Sequence, residues 1–277
     1  MATVPEFPFL PQWLITGKNA GIPCGMRPFG VSAEDLTVDF RLSRRPELIT
    51  ELLAKCFHDA EQEPVDRDLL LDMPVGMRIE ALLELAALAD PNPLSWQVRC
   101  SSGECMQESE FELAVEQIVS LNSEQRELQT VTACIGSVEA LLRRPTGHDQ
   151  IEWLKQPVES EFETMLSSIL VRPSLEELLA KGVSVDSVSV AIDEVMDSFD
   201  PLLAFHVSVA CPHCGFSSKV YPDLVGSALE RLSRCQRVLI EDVHCLASRY
   251  HWSEREILDL PEWRRRTYLD LIEETVV

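Results

Sequence analysis

Apolar side chains recur at three- and four-residue steps along several stretches of this chain and alternate with polar ones along a few shorter stretches, the two signatures of helix and strand. "PELITELLAKCF" places Leu48, Ile49, Leu52, Leu53, Cys56 and Phe57 on one stripe, with Pro46 at a first helical position. "MPVGMRIEALLELAALAD" predicts a second amphipathic helix with Ile79, Leu82, Leu83 and Ala86 inward, stopped by "DPNP". "SEFETMLSSILV", "SLEELLAKG" and "DSVSVAIDEVMDSF" predict three more; Ser174 and Glu177 form a capping box and Gly182 a stop for the middle one. In "SALERLSRCQRVLIEDVHCLASRY", Leu229, Leu232, Leu239, Val243, Leu246 and Tyr250 mark a long helix. Ser253 with Glu256 caps a short helix ending near Leu260, and Pro261 starts the last, "PEWRRRTYLDLIEE".

Alternation predicts strands in "TVDFRL", in "SWQVR", and in "SEFELAVEQI", where Phe111, Leu113 and Val115 share a face. "ELQTVTACI" and "SVEALLRR" predict a hairpin, followed by a turn at "RPTGHDQ". "LLAFHVSVACPHCGFSSKVYPDL" predicts a strand, a cysteine pair and a second short strand ending near Tyr221. The same plan of strand, cysteine pair and strand stands upstream in "LSWQVRCSSGECMQESEFEL". The expected organisation is an extended arm over residues 1–45, a helical segment 46–92, a ribbon split between 93–118 and 203–224, a mixed insertion 119–202, and a helical segment 225–277. The fold class is therefore α+β: a mostly helical protein built around a split four-cysteine zinc ribbon with a mixed α/β insertion.

Composition narrows the function. The 277 residues are 45% hydrophobic, enough for a globular core. No run of 18 apolar residues exists and the N-terminus lacks a basic region followed by an apolar stretch, so a soluble protein, cytoplasmic in the cell that makes it, is expected, with no membrane partner. Net charge is −22, from 46 acidic and 24 basic residues, and such a chain is repelled by phosphate backbones. The dense basic run is Arg264, Arg265 and Arg266, which on a helix point in different directions.

Nine cysteines without a secretory signal make a disulfide framework a poor explanation and metal-ligand spacing a better one. Cys211 and Cys214 have the tight spacing, with Gly215 behind; Cys100 and Cys105 have the wide one, with Gly103 inside the turn. Together they make a four-thiolate set for structural Zn2+. Two other readings compete. "CPHC" also occurs in thiol oxidants, where a helix N-terminus activates the first thiol, but the residues after Cys214 read as a strand. The pairs are otherwise ordinary buried cysteines. Cys24, Cys56, Cys134, Cys235 and Cys245 are isolated and read as buried small hydrophobes. His213 lies between the paired thiols and is expected to point outward; His244 sits on the long helix and reads as a packing residue. A four-thiolate zinc has no open position for water. No phosphate-binding Gly-rich loop, His-Glu-x-x-His or nucleophile elbow is present, so no enzymatic activity and no small-molecule substrate are expected.

The assembled pieces resemble the T-even phage baseplate protein family of contractile tails and contractile injection systems. The residues that carry the resemblance are "LDMPVGMRIEALLELAALADPNPLSWQVRC", "RRPTGHDQIEWL" and "LIEDVHCLASRYHWSEREILDLPEWRRRTYLDLIEE". It extends from about Leu69 onward. The resemblance implies a non-enzymatic structural or assembly protein of the baseplate, in a phage tail or injection particle, whose partners are other baseplate or hub proteins. It implies metal at Cys100, Cys105, Cys211 and Cys214, although four residues separate the first pair where relatives have two. It also singles out the C-terminal motif, with His244, Tyr250, Trp252, Ser253, Glu256, Ile257, Leu260, Arg265 and Tyr268. His244, Tyr250, Trp252, Glu256, Arg264, Arg265 and Tyr268 are the candidate partner-binding residues. The alternative function is a zinc-ribbon nucleic-acid-binding or regulatory protein, which the net charge disfavours.

Overall fold

The structure is a computed structural model that describes residues 25–41, 44–58, 64–121 and 128–276. A short strand β1 (Gly25–Met26) and a 3-10 turn (Ala33–Thr37) precede α1 (Arg45–Cys56), β2 (Phe57–His58), α2 (Arg67–Asp72) and α3 (Val75–Ala89). The hairpin β3 (Leu94–Arg99) and β4 (Glu108–Leu113) leads into α4 (Val115–Ser120). Next come β5 (Thr130–Ile135), β6 (Val138–Arg143), α5 (Gly147–Trp153), α6 (Val158–Ile169), β7 (Leu170–Arg172), α7 (Leu175–Ala180) and α8 (Val185–Phe199). A second hairpin, β8 (Val207–Ala210) and β9 (Ser217–Val220), precedes α9 (Leu224–Tyr250), α10 (Glu254–Leu258) and α11 (Glu262–Val276). The protein is mixed α/β, largely helical, with small antiparallel sheets.

Two apolar cores form. The first gathers α1, α3, α4, the start of β3, and the N-terminal half of α9 through Leu224, Ala228, Leu229 and Leu232. At its centre is α3, whose Ala81, Leu82, Leu83, Leu85 and Ala86 are fully enclosed. The single inward stripe expected of this helix is thus too narrow: it is buried nearly all round, as its high apolar content requires. The second core lies between the sheet β5–β6–β7 and the helices α6, α7 and α8, around Ile135, Leu142, Leu178, Val188 and Phe199.

The two cores meet along two short strips. The Val75 amide donates to the Pro145 carbonyl at 2.8 Å and the Gly147 amide to the Met73 carbonyl at 3.2 Å, bridging Pro74 to Thr146. Glycine is required on both sides. A Cβ on Gly76 would stand 1.7 Å from Oδ1 of buried Asp200, and one on Gly147 would stand 2.8 Å from the Arg78 guanidinium. Arg78 itself is enclosed and donates to the Leu70 carbonyl, and at 2.8 Å to both the Pro46 carbonyl and the Thr50 hydroxyl. Arg231 of α9 similarly donates to the carbonyls of Asp90 and Pro93, at 2.6 and 2.9 Å, and fixes the turn that launches β3.

Several expectations need correction. The described residues 37–41 of "TVDFRL" form no strand: Thr37 ends the 3-10 turn, where the Asp35 carboxylate collects the amides of Gly30, Val31 and Ser32 and the Arg27 guanidinium. Four donors to one buried carboxylate outweigh the weak alternation of that stretch. "RPTGHDQ" is not only a turn; Thr146 caps α5 and Asp149 closes the box. The alternation through Val115 ends at Leu113, beyond which α4 buries Val115 and Ile118 in the first core. Of the expected N-terminal arm, residues 1–24 lie outside the described residues, whereas Met26, Phe29 and Val38 belong to the first core.

Candidate metal centre

Each cysteine pair stands at the tip of a two-stranded hairpin. The Cys100 amide donates to the Gln107 carbonyl at 2.9 Å, and the Cys211 amide to the Phe216 carbonyl at 2.8 Å, so each first cysteine closes its ladder. Beyond the second cysteine the chain must turn back. Gly215 does so at φ 75°, and its counterpart after Cys105 is Met106 at φ 49°, a left-handed conformation unusual for a side chain of that size. Gly103, inside the turn between Cys100 and Cys105, has no such conformation.

The two tips meet. The four sulfur atoms of Cys100, Cys105, Cys211 and Cys214 all lie within 4.8 Å of one another. The shortest approaches run between hairpins, Cys100 to Cys214 at 3.7 Å and Cys105 to Cys211 at 3.9 Å. A tetrahedron with metal–sulfur bonds of about 2.3 Å has edges of about 3.8 Å. Disulfide bonding needs about 2.05 Å, and all four thiols are free. A hydrogen bond of 2.7 Å between the hydroxyls of Ser101 and Ser218 adds a second tie between the tips.

The electrostatics agree with the geometry. The amides of Cys214 and His213 donate toward the Cys211 sulfur and hold its thiol down at about 6. The Ser102 amide helps Cys100 in the same way, but desolvation and the three neighbouring sulfurs outweigh it and push that thiol up to about 12. Cys105, aided by the Gln107 amide and opposed by desolvation and the sulfurs of Cys214 and Cys211, also lies above the ordinary thiol range. The Cys211 thiolate therefore forms readily, while Cys100 and Cys105 resist. A cation at the centre removes that conflict, and the residues present fit one well.

The strand β9 follows Cys214, so no helix N-terminus activates the pair for redox chemistry. His213 is exposed and stands outside the sulfur group. The isolated cysteines are more varied than expected. Cys56 is fully buried, with its thiol pushed up to about 12 by desolvation, but Cys134 is exposed and Cys235 and Cys245 are half-buried; Cys24 lies outside the described residues.

The candidate partner residues divide. Tyr250, Trp252 and Tyr268 form a triad with ring centroids 4.7, 5.0 and 5.4 Å apart, closing the corner between α9 and α11. Glu256 accepts the Ser253 amide at 2.8 Å in a capping box, and Arg265 is buried, aimed at the carbonyls of Leu258 and Leu260. His244 and Arg264 are exposed; the Arg264 guanidinium lies over the Tyr268 ring at 5.6 Å. Sequence reasoning missed Met106, Ser101 and Ser218, none of which carries a spacing signal.

The chain matches no protein-family model, no curated protein and no solved structure. Among the described residues, no helix is long and apolar enough to cross a membrane.

Proposed function

We propose that this is a non-enzymatic structural or assembly protein of a contractile tail or injection-system baseplate, stabilised by one structural zinc ion held by Cys100, Cys105, Cys211 and Cys214. The observation that carries the metal reading is the convergence of four thiols, drawn from segments 106 and 114 residues apart, at the spacing of a tetrahedral site. Bound zinc would supply a closed tetrahedral clamp and no reactive position. The surrounding residues serve that clamp: the amides of Ser102, Gln107, His213 and Cys214 donate to sulfur, and the left-handed residues Met106 and Gly215 return the chain to its strand. The two halves of the ribbon flank the second core, so the clamp fixes both ends of the insertion at once.

The baseplate reading is supported by the resemblance of three segments, which have coherent jobs in the fold. "LDMPVGMR" and "RRPTGH" are the two strips that dock against each other, and the C-terminal motif builds the α9–α10–α11 corner. The test is genetic. Removing this gene from a contractile system that encodes it is expected to leave tails without an assembled baseplate in electron micrographs. Fully assembled, functional particles in its absence would contradict the reading.

A further inference from the structure

The helix α11 is gripped along one face only. Arg265, Tyr268 and Leu269 turn inward, while Trp263, Arg264, Arg266, Thr267, Asp270 and Leu271 are exposed. Trp263 is 70% exposed and Leu271 48%, the former among the most exposed large apolar residues of the chain. At 3.6 residues per turn, positions 263, 267 and 271 form one stripe, with Thr267 at its midpoint and an apolar residue four positions to either side. The Thr267 hydroxyl is turned back onto the Trp263 carbonyl at 2.9 Å, leaving its methyl group to face outward.

The charges along the helix are also unevenly divided. Beyond Glu262 at its first residue, exposed Arg264 and Arg266 precede the midpoint, and Asp270, Glu273 and Glu274 follow it. Such a face is complementary to itself when reversed. If a second copy of α11 crosses antiparallel at Thr267, Trp263 of each copy meets Leu271 of the other. Arg266 and Asp270 lie on the same flank of the stripe, so across the twofold axis Arg266 of one copy reaches Asp270 of the other. The intrahelical pair that Arg266 makes with Glu262, at 3.7 Å with both side chains well exposed, contributes little and is readily exchanged.

We infer that the outer face of α11 is a homodimer contact, an antiparallel helix pair centred on Thr267 with Trp263 and Leu271 as its apolar anchors. An isologous pairing is favoured over an unrelated partner because the apolar pair is symmetric about Thr267 and the opposite charges of Arg266 and Asp270, on one flank and centred one residue further on, come within reach of each other across the twofold axis. A single helix face buries less than a standard interface, so dimerisation is expected in roughly the 10–100 μM range. The inference rests on α11 alone and stands or falls separately from the baseplate reading.

Analytical ultracentrifugation of the full chain, from about 1 to 300 μM, tests it over the range that includes this affinity. A concentration-dependent monomer–dimer equilibrium is expected. Trp263→Asp should weaken it by about 30-fold or more, as loss of an aromatic anchor does. Arg266→Asp and Asp270→Arg should each weaken it, and the two together should restore it; an unchanged thermal melt for each variant shows that its fold is intact. Sedimentation as a monomer throughout would overturn the proposal, as would a dimer indifferent to Trp263→Asp or a double exchange that fails to restore pairing.

Discussion

Met106 and Gly215 occupy equivalent places in the two hairpin tips, yet only one is the residue the backbone prefers. The left-handed conformation costs a residue with a Cβ about 1 kcal/mol more than glycine. Opposite signs are therefore expected from a pair of substitutions. Gly215→Ala has open space for its methyl group, so it should lose only that backbone term, about 1 kcal/mol, while Met106→Gly should be neutral or gain up to about 1 kcal/mol. Denaturant unfolding of metal-loaded protein measures both. Asp200 is the other residue whose environment departs from the ordinary. Burial raises its carboxyl to about 6, against the opposing pull of Arg144 and of the Gly76 amide. A group whose native pKa is raised binds protons in the folded state that the unfolded chain has already released. Stability should thus fall as pH rises from about 4 to about 6 and change little from this group above that, a loss of about 3 kcal/mol. Asp200→Asn keeps an acceptor for Gly76 and removes the charge. Its stability relative to the parent should therefore increase with pH over the same window; a constant difference across it would contradict this account.

At the scale of elements, the legible features were those with a local cause. The boxes at Ser174–Glu177 and Ser253–Glu256 stand where the sequence places them, because a capping box is complete within four residues. The hairpin β5–β6 and the long helix α9 followed from periodicity sustained over many residues. The misread elements were short: the 3-10 turn at Ala33–Thr37 and α5 both form around a carboxylate that gathers an arginine and local donors, three amides at Asp35 and the Thr146 amide and hydroxyl at Asp149, and no period survives over five to seven residues. The docking of the two cores was illegible for a different reason. Gly76 looks like a tolerated helix glycine and Gly147 like a turn glycine, and only their neighbours across the junction explain them. Gly76→Ala should destabilise by about 3 kcal/mol, because Asp200 is enclosed and cannot yield, whereas alanine in an open helix position would stabilise by about 1 kcal/mol. A thermal melt separates these opposite signs.

For the whole molecule, the cysteine spacing announced the site but not its shape. Two-residue and four-residue gaps identified the pairs, and the repeated plan of strand, cysteine pair and strand predicted that they meet across more than a hundred residues; that the nearest sulfurs stand in opposite hairpins is a property of the fold. The isolated cysteines offered no comparable signal, and Cys134 turned out exposed because it falls on the outward face of β5. Closing so long a span costs chain entropy that grows only slowly with length, so a clamp there holds a large part of the structure for a modest ordering cost. Both hairpins pack on the first core, through Leu94, Trp96, Leu113 and Val207, and in sequence they flank the second, so loss of a metal that ties their tips is expected to loosen the whole arrangement and not one hairpin. The most direct test is the metal content of the purified chain, by elemental mass spectrometry, together with that of the Cys211→Ser/Cys214→Ser variant. The account predicts about one zinc per chain in the parent, nearly none in the variant, and a markedly lower melting temperature on its loss. A parent chain that folds to the same stability with no bound metal and four freely titrating thiols would contradict it.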